Sequence, residues 1–127
     1  MSKGIIISIA LFAIVIIVAI TGQFYLTSTM TDLNKDILSA QIHFKDNNIE
    51  AAKSDIKKFK TGFEKSSPIL KLYIRHQELE VITINSSPLE SILETGQKGD
   101  FMKECDKLSA QLKHIIQSEE ISVENIV

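Results

Sequence analysis

The sequence predicts an all-α protein: an N-terminal transmembrane helix that continues into a small antiparallel helical bundle of about four helices. Three observations lead there. Ile5 to Leu26 carries no ionisable side chain over 22 residues. The apolar residues beyond it recur in steps of 3 and 4, the spacing of a packed helix face. Clusters of Asn, Ser, Pro and Gly then divide the chain at intervals that suit short helix-to-helix connections.

A helix over Ile5–Leu26 measures about 33 Å at ~1.5 Å per residue, enough to cross a hydrocarbon core of ~30 Å. Only Ser8, Thr21, Gly22 and Gln23 interrupt its apolar run, and Tyr25 follows as an interfacial aromatic, so the membrane exit is placed near Thr21 to Leu26. A cleaved secretory signal has a shorter apolar core of ~7–15 residues before its cut, and here only Ala19-Ile20-Thr21-Gly22 offers a cleavage pattern. A buried helix of a soluble core fits poorly with so long an uncharged run. The expected organisation is therefore a short cytoplasmic tail at 1–4, a transmembrane anchor at 5–26 and an extracytoplasmic helical bundle at 27–127. Orientation follows from Lys3 and the α-amino group before the span, against Asp32, Lys35 and Asp36 after it. This small basic excess puts the N-terminus in the cytoplasm.

The roughly 100 residues after the span make one small domain with a single modest core. The formal charge of -2 gives no electrostatic case for nucleic acid. Cys105, the only cysteine, excludes an intramolecular disulfide.

Leu26, Met30, Leu33, Ile37, Ala40 and Phe44 form a seam of period ~3.5, so the first helix runs out of the span unbroken to about Lys45. Asp46-Asn47-Asn48 is a turn. Ile49, Ala52, Ile56, Phe59 and Phe63 define a second helix to about Lys65, folded back on the first. Ser66-Ser67-Pro68 reads as the cap and first turn of a third helix. Leu72, His76, Leu79 and Ile82 share one face of that helix, and Pro88 kinks or restarts it before it ends near Thr95. Gly96 to Asp100 is a loop with Asp100 as cap, after which Phe101, Cys105, Leu108, Leu112 and Ile115 form the last seam. The apolar tail residues Ile121, Val123, Ile126 and Val127 are expected to pack.

Leu72-Tyr73-Ile74-Arg75-His76-Gln77-Glu78-Leu79-Glu80, Leu112-Lys113-His114-Ile115 and Ser122-Val123-Glu124-Asn125-Ile126 together resemble the domain of unknown function 4363 family, small single-span membrane proteins of Bacillota. They match its aromatic-Ile-x-His-x-Glu-Leu, Leu-x-His-Ile and closing Ser-Leu-Glu-Asn-Ile segments, and the similarity extends over nearly the whole chain, anchor included. Pro88 departs from the family pattern, which has an unbroken helix there. The resemblance implies a bacterial cell-envelope protein without an established activity, often encoded beside multi-span proteins of the domain of unknown function 421 group. That neighbourhood points to an accessory subunit by association.

No constellation for catalysis stands out. His76 on an apolar stripe is either a proton-responsive group or ligand, or a hydrogen-bonded core histidine, and no second ligand stands at i,i+4. Zinc through His76, Cys105 and His114 needs the fold to gather them. Cys105 interrupts Phe101 and Leu108 on the core seam, so it reads as a small core hydrophobe rather than a nucleophile. Glu78 with Glu80, and Glu119 with Glu120, diverge on a helix. There is no phosphate loop, nucleophile elbow or zincin motif.

Charge is distributed unevenly. Residues 51–75 hold seven basic against two acidic side chains, and residues 76–127 four against ten. Lys53, Lys57 and Lys60 line up on the second helix, either as a face for anionic headgroups or an acidic partner, or as a solvated face balanced by neighbouring helices. Taken with what the resemblance implies, the expected protein is a non-enzymatic membrane-anchored accessory or scaffold subunit docking on a multi-span protein, with Lys53, Lys57, Lys60 and His76 as candidate interaction residues. No cofactor, metal or small-molecule substrate is implied. The alternative is an extracytoplasmic ligand-binding or sensor-like helical domain without an output domain of its own.

Overall fold

The computed structural model describes residues 2–126, with side chains through Ser118. Helix α1 (Lys3–Lys45) is unbroken over 43 residues, and Ser2 caps it by accepting from the Ile5 N–H at 3.4 Å. Two environments divide this one helix. Every residue from Ile5 to Ile20 is exposed, whereas Gly22 and the whole expected seam Leu26, Met30, Leu33, Ile37, Ala40 and Phe44 are buried. Core packing thus begins at Gly22, inside the stretch expected to be anchor. By length and composition α1 can cross a membrane.

The helix stops at Asp46-Asn47-Asn48, as expected. Asn47 takes a left-handed φ of 62°, which Asn tolerates, and Asn48 accepts from the Ala51 N–H at 3.2 Å to start α2 (Ile49–Leu70). Ala52, Ile56, Phe59, Phe63, Ser66 and Leu70 of α2 are buried.

Ser66-Ser67-Pro68 is not a helix start. Pro68 lies in the last turn of α2, which runs on to Leu70. The missing Pro N–H forfeits one backbone bond to the preceding turn, and complete burial of Leu70 offsets that loss. The Ser66 hydroxyl donates back to the Gly62 carbonyl at 2.7 Å instead of capping a new helix. The break comes later, as a turn over residues 71–75 closed by Tyr73 and Ile74 N–H bonds to the Leu70 carbonyl at 3.0 and 2.9 Å.

Helix α3 (His76–Ser86) therefore begins six residues beyond Leu70, and the expected stripe is corrected at its start. Leu72 sits in the turn and His76 is the first helical residue, both exposed. The stripe that reaches the core is Leu79, Ile82, Ser86, Leu89 and Leu93. Pro88 restarts the helix as expected, standing at the N-cap of α4 (Leu89–Thr95). Gly96 ends α4 at φ 71°, a conformation that glycine adopts without strain. The loop is shorter than expected, since α5 (Lys98–Ile126) starts two residues later with Asp100 inside its first turn, where its charge favours the positive helix end. Phe101, Cys105, Leu108, Leu112 and Ile115 are buried on the predicted seam. The tail Ile121 to Val127 lies outside the described side chains.

The four arms run up, down, up and down, the third bent at Ser87-Pro88. Residues across α1 and α2 fix the register: Asp55 beside Ser39 and His43, Gly62 over Leu33, Tyr73 on Gly22. Across α1 and α5, Phe44 meets Phe101 edge-on with centroids 4.8 Å apart. The buried Gln41 amide donates to the Met102 carbonyl at 3.1 Å and to Asp106 Oδ1 at 2.8 Å. Ser109 donates to Asn34 Oδ1 at 2.5 Å. One end of the bundle therefore carries the Asn47 turn and Gly96, bridged by Lys98 donating to Asn47. The other end carries Gly22 and the 71–75 turn.

Candidate functional site

Lys53, Lys57 and Lys60 share the outer face of α2, as their spacing requires, and that face looks toward α4. Lys60 Nζ is 3.4 Å from Glu90 Oε1. Lys53 and Lys57 line an open groove of about 500 Å³ together with Glu50, Ser54, Glu90 and Glu94. Folding thus sets the basic segment against the acidic one, and the dipole read along the chain is partly closed within the bundle. Both members of the Lys60–Glu90 pair are near one-third exposed or more, so the pair contributes at most about 1 kcal/mol. The groove offers mixed charge, suited to a partner surface that presents both signs.

His76 is exposed at the start of α3 and is neither a core histidine nor on a stripe facing one. His114 is exposed on α5, lining a small groove of about 260 Å³ with Gln77, Glu78, Val81, Gln111 and Ile115. Cys105 is fully buried, and burial, then Asp106 and Glu104, push its thiol up to about 12. A thiol held neutral in an apolar core is a packing group, not a nucleophile. His76, Cys105 and His114 are not brought together, and among the described residues no three His, Cys, Asp or Glu side chains converge for a metal.

The sequence did not single out a polar cluster between α1 and α2. Asp55 Oδ2 lies 2.6 Å from His43 Nδ1 and accepts from the Ser39 hydroxyl at 2.9 Å, while Ser39 Oγ stands 3.5 Å from the same Nδ1. Ser, His and Asp together suggest a nucleophile relay, but a relay needs the carboxylate on one ring nitrogen and the hydroxyl on the other. Here both converge on Nδ1 and the hydroxyl donates to the carboxylate. The cluster clamps two helices. Its only sequence signal was the i,i+4 pair Ser39 and His43.

A groove of about 460 Å³ opens between α2 and the end of α3, floored by Phe59 and Phe63 and rimmed by Lys60, Glu64 and Lys71. The two rings are stacked, 6.2 Å apart and nearly parallel. The groove reaches Ser86 and Ser87 beside Pro88 but not His76. At the Gly22 end, the ring of Tyr73 lies where a Cβ on Gly22 would stand, its hydroxyl oxygen 2.6 Å from that point. Gln23 beside it has a buried amide nitrogen with no hydrogen-bond partner among the described residues.

No curated protein and no solved structure matches the chain. A family model does, over residues 20–126, which contain the whole bundle and leave most of the exposed apolar run of α1 outside. The resemblance carried by the 72–80, 112–115 and 122–126 segments therefore holds for the helical bundle: the chain belongs to the family described as Domain of unknown function (DUF4363).

Proposed function

We propose that the protein is a single-span membrane protein whose bundle stands outside the cell membrane and docks, as an accessory or scaffold subunit, on a multi-span membrane protein. The observation that carries this reading is the change of environment along α1. Its Ile5–Ile20 stretch is apolar and unburied, while the same uninterrupted helix supplies the central seam of the bundle from Gly22 to Phe44. An apolar face that no protein atom covers calls for a hydrocarbon solvent, and a continuous helix transmits the anchor's position directly to the bundle. Lys3 ahead of the run supports a cytoplasmic N-terminus. The mixed-charge groove of Lys53, Lys57, Glu90 and Glu94 is the docking face this reading favours.

The test is recovery of the full-length tagged protein from its native membrane in mild detergent, with identification of whatever co-purifies in near-equal amount. A stoichiometric multi-span protein, lost in the Lys53→Glu, Lys57→Glu, Lys60→Glu triple variant, is the expected result. Recovery of the chain alone would overturn it. The sensor-like alternative draws on one observation, the aromatic-floored groove between α2 and α3. Isolation as a lone monomer with a small molecule bound there would favour it.

A further inference from the structure

The α1–α2 register sets how far each residue of α2 stands from the apolar run. Because Tyr73 packs on Gly22, the 71–75 turn lies level with the first buried residues of α1, at the end of the bundle from which the uncovered run emerges. The described side chains of the turn are apolar and basic at once. Leu72 at the tip of the turn is 77% exposed, Phe24 on α1 at the same level 74%, and Ile69 44%. Lys71 and Arg75 flank Leu72, both exposed.

The length of the uncovered run places a bilayer against this turn. Ile5–Ile20 rises about 24 Å at ~1.5 Å per residue, some 6 Å short of a ~30 Å hydrocarbon core. The missing length is supplied by Thr21 to Phe24, the residues level with Leu72.

Resting on the single-span reading above, we propose that the turn between α2 and α3 is a second membrane contact, with Leu72 and Ile69 entering the boundary between headgroups and acyl chains and Lys71 and Arg75 meeting lipid phosphates. An apolar tip flanked by long basic side chains is the chemistry of an interfacial segment. The register moves this role away from Lys53 and Lys57. Lys53 stands level with Ile42 and His43, about 30 Å above Gly22 at ~1.5 Å per residue, several screening lengths of ~8 Å from the same surface.

The chain contains no tryptophan, so single probes can be read in the intact protein. Leu72→Trp, Ile42→Trp and Val15→Trp variants of the full-length chain are placed, without any other protein, in vesicles of phosphatidylcholine and phosphatidylglycerol carrying brominated acyl chains. V15W reports the span, I42W the far end of the bundle. The expected result is strong quenching of V15W by deep bromines, quenching of L72W by shallow bromines with about threefold less acrylamide quenching than I42W, and an unquenched I42W. Lys71→Glu with Arg75→Glu should then remove about half of the shallow quenching of L72W when phosphatidylglycerol is present. V15W quenched while L72W behaves as I42W overturns the turn contact alone, and is the outcome expected if a partner protein covers Leu72. V15W unquenched overturns the single-span reading and the turn contact together. Unchanged quenching in the charge-reversed variant removes the phosphate contacts.

Discussion

The ring of Tyr73 rests on the backbone of Gly22, so that a single methyl group on α1 and the aromatic side chain of the α2–α3 turn compete for one volume. Gly22→Ala forces Tyr73 out and costs about 1–3 kcal/mol, the range for overpacking. Tyr73→Ala costs its own buried area, and the double variant costs less than the sum of the two, because the clash has gone. Thermal melts of the four proteins in detergent check this; strict additivity would show that the two residues do not share the space.

Cys105 is buried among Phe101, Leu108 and Leu112 on α5 and held neutral up to about 12. Native protein at pH 8 should resist a maleimide reagent that labels the denatured chain within minutes. The sign of the pH effect follows from the raised value. Its contribution to stability is complete below the ordinary thiol value of 9.0 and is lost as pH rises from there through about 12. Cys105→Ala should flatten that alkaline slope, while Cys105→Ser costs about 1–3 kcal/mol by burying a hydroxyl.

Asp36 sits on α1 near the α2 face with its carboxyl raised above the ordinary 3.8, chiefly by burial; Lys58 opposes the shift and Asp55 and Asp32 add to it. A raised carboxyl contributes most below its unfolded value and loses that contribution as pH rises through its folded one. At neutral pH the charged Asp36 is therefore a net cost. Asp36→Asn should raise the melting temperature at pH 7 and leave it unchanged near pH 3.

Gln41 is a buried polar side chain that joins α1 to α5 through the Met102 carbonyl and Asp106. Gln41→Ala should lose about 1–3 kcal/mol, since two hydrogen bonds go and a cavity is left. Asp106→Ala should cost less, because Asp106 is exposed and the Met102 bond survives. Denaturant midpoints separate the two variants.

The seams of α1, α2 and α5 were legible because each keeps a 3-and-4 spacing long enough to fix its phase: Leu26 to Phe44, Ala52 to Phe63 and Phe101 to Ile115 are all buried. Local rules also placed the Asn47 turn and the restart at Pro88. The errors cluster between Ser66 and His76. There a Ser-Ser-Pro cap signal competed with the burial of Leu70, three-dimensional packing decided, and the phase of the next stripe moved away from His76. The partners of Lys60 and His43 come from other helices and that of Gly22 from the turn after α2, and single-helix periodicity carries no information about which faces will meet.

The absence of any break in α1 between Ile20 and Leu26 couples the two halves of the molecule in angle as well as in position. An α-helix turns about 100° per residue, so the direction in which the outward faces of α2 and α4 look relative to the exposed run Ile5–Ile20 is set by the residue count between that run and the buried seam. The helix acts as a crankshaft: one residue inserted near Thr21 would swing the Lys53–Glu94 groove by more than a quarter turn relative to the exposed apolar run Ile5–Ile20, with every contact inside the bundle left intact.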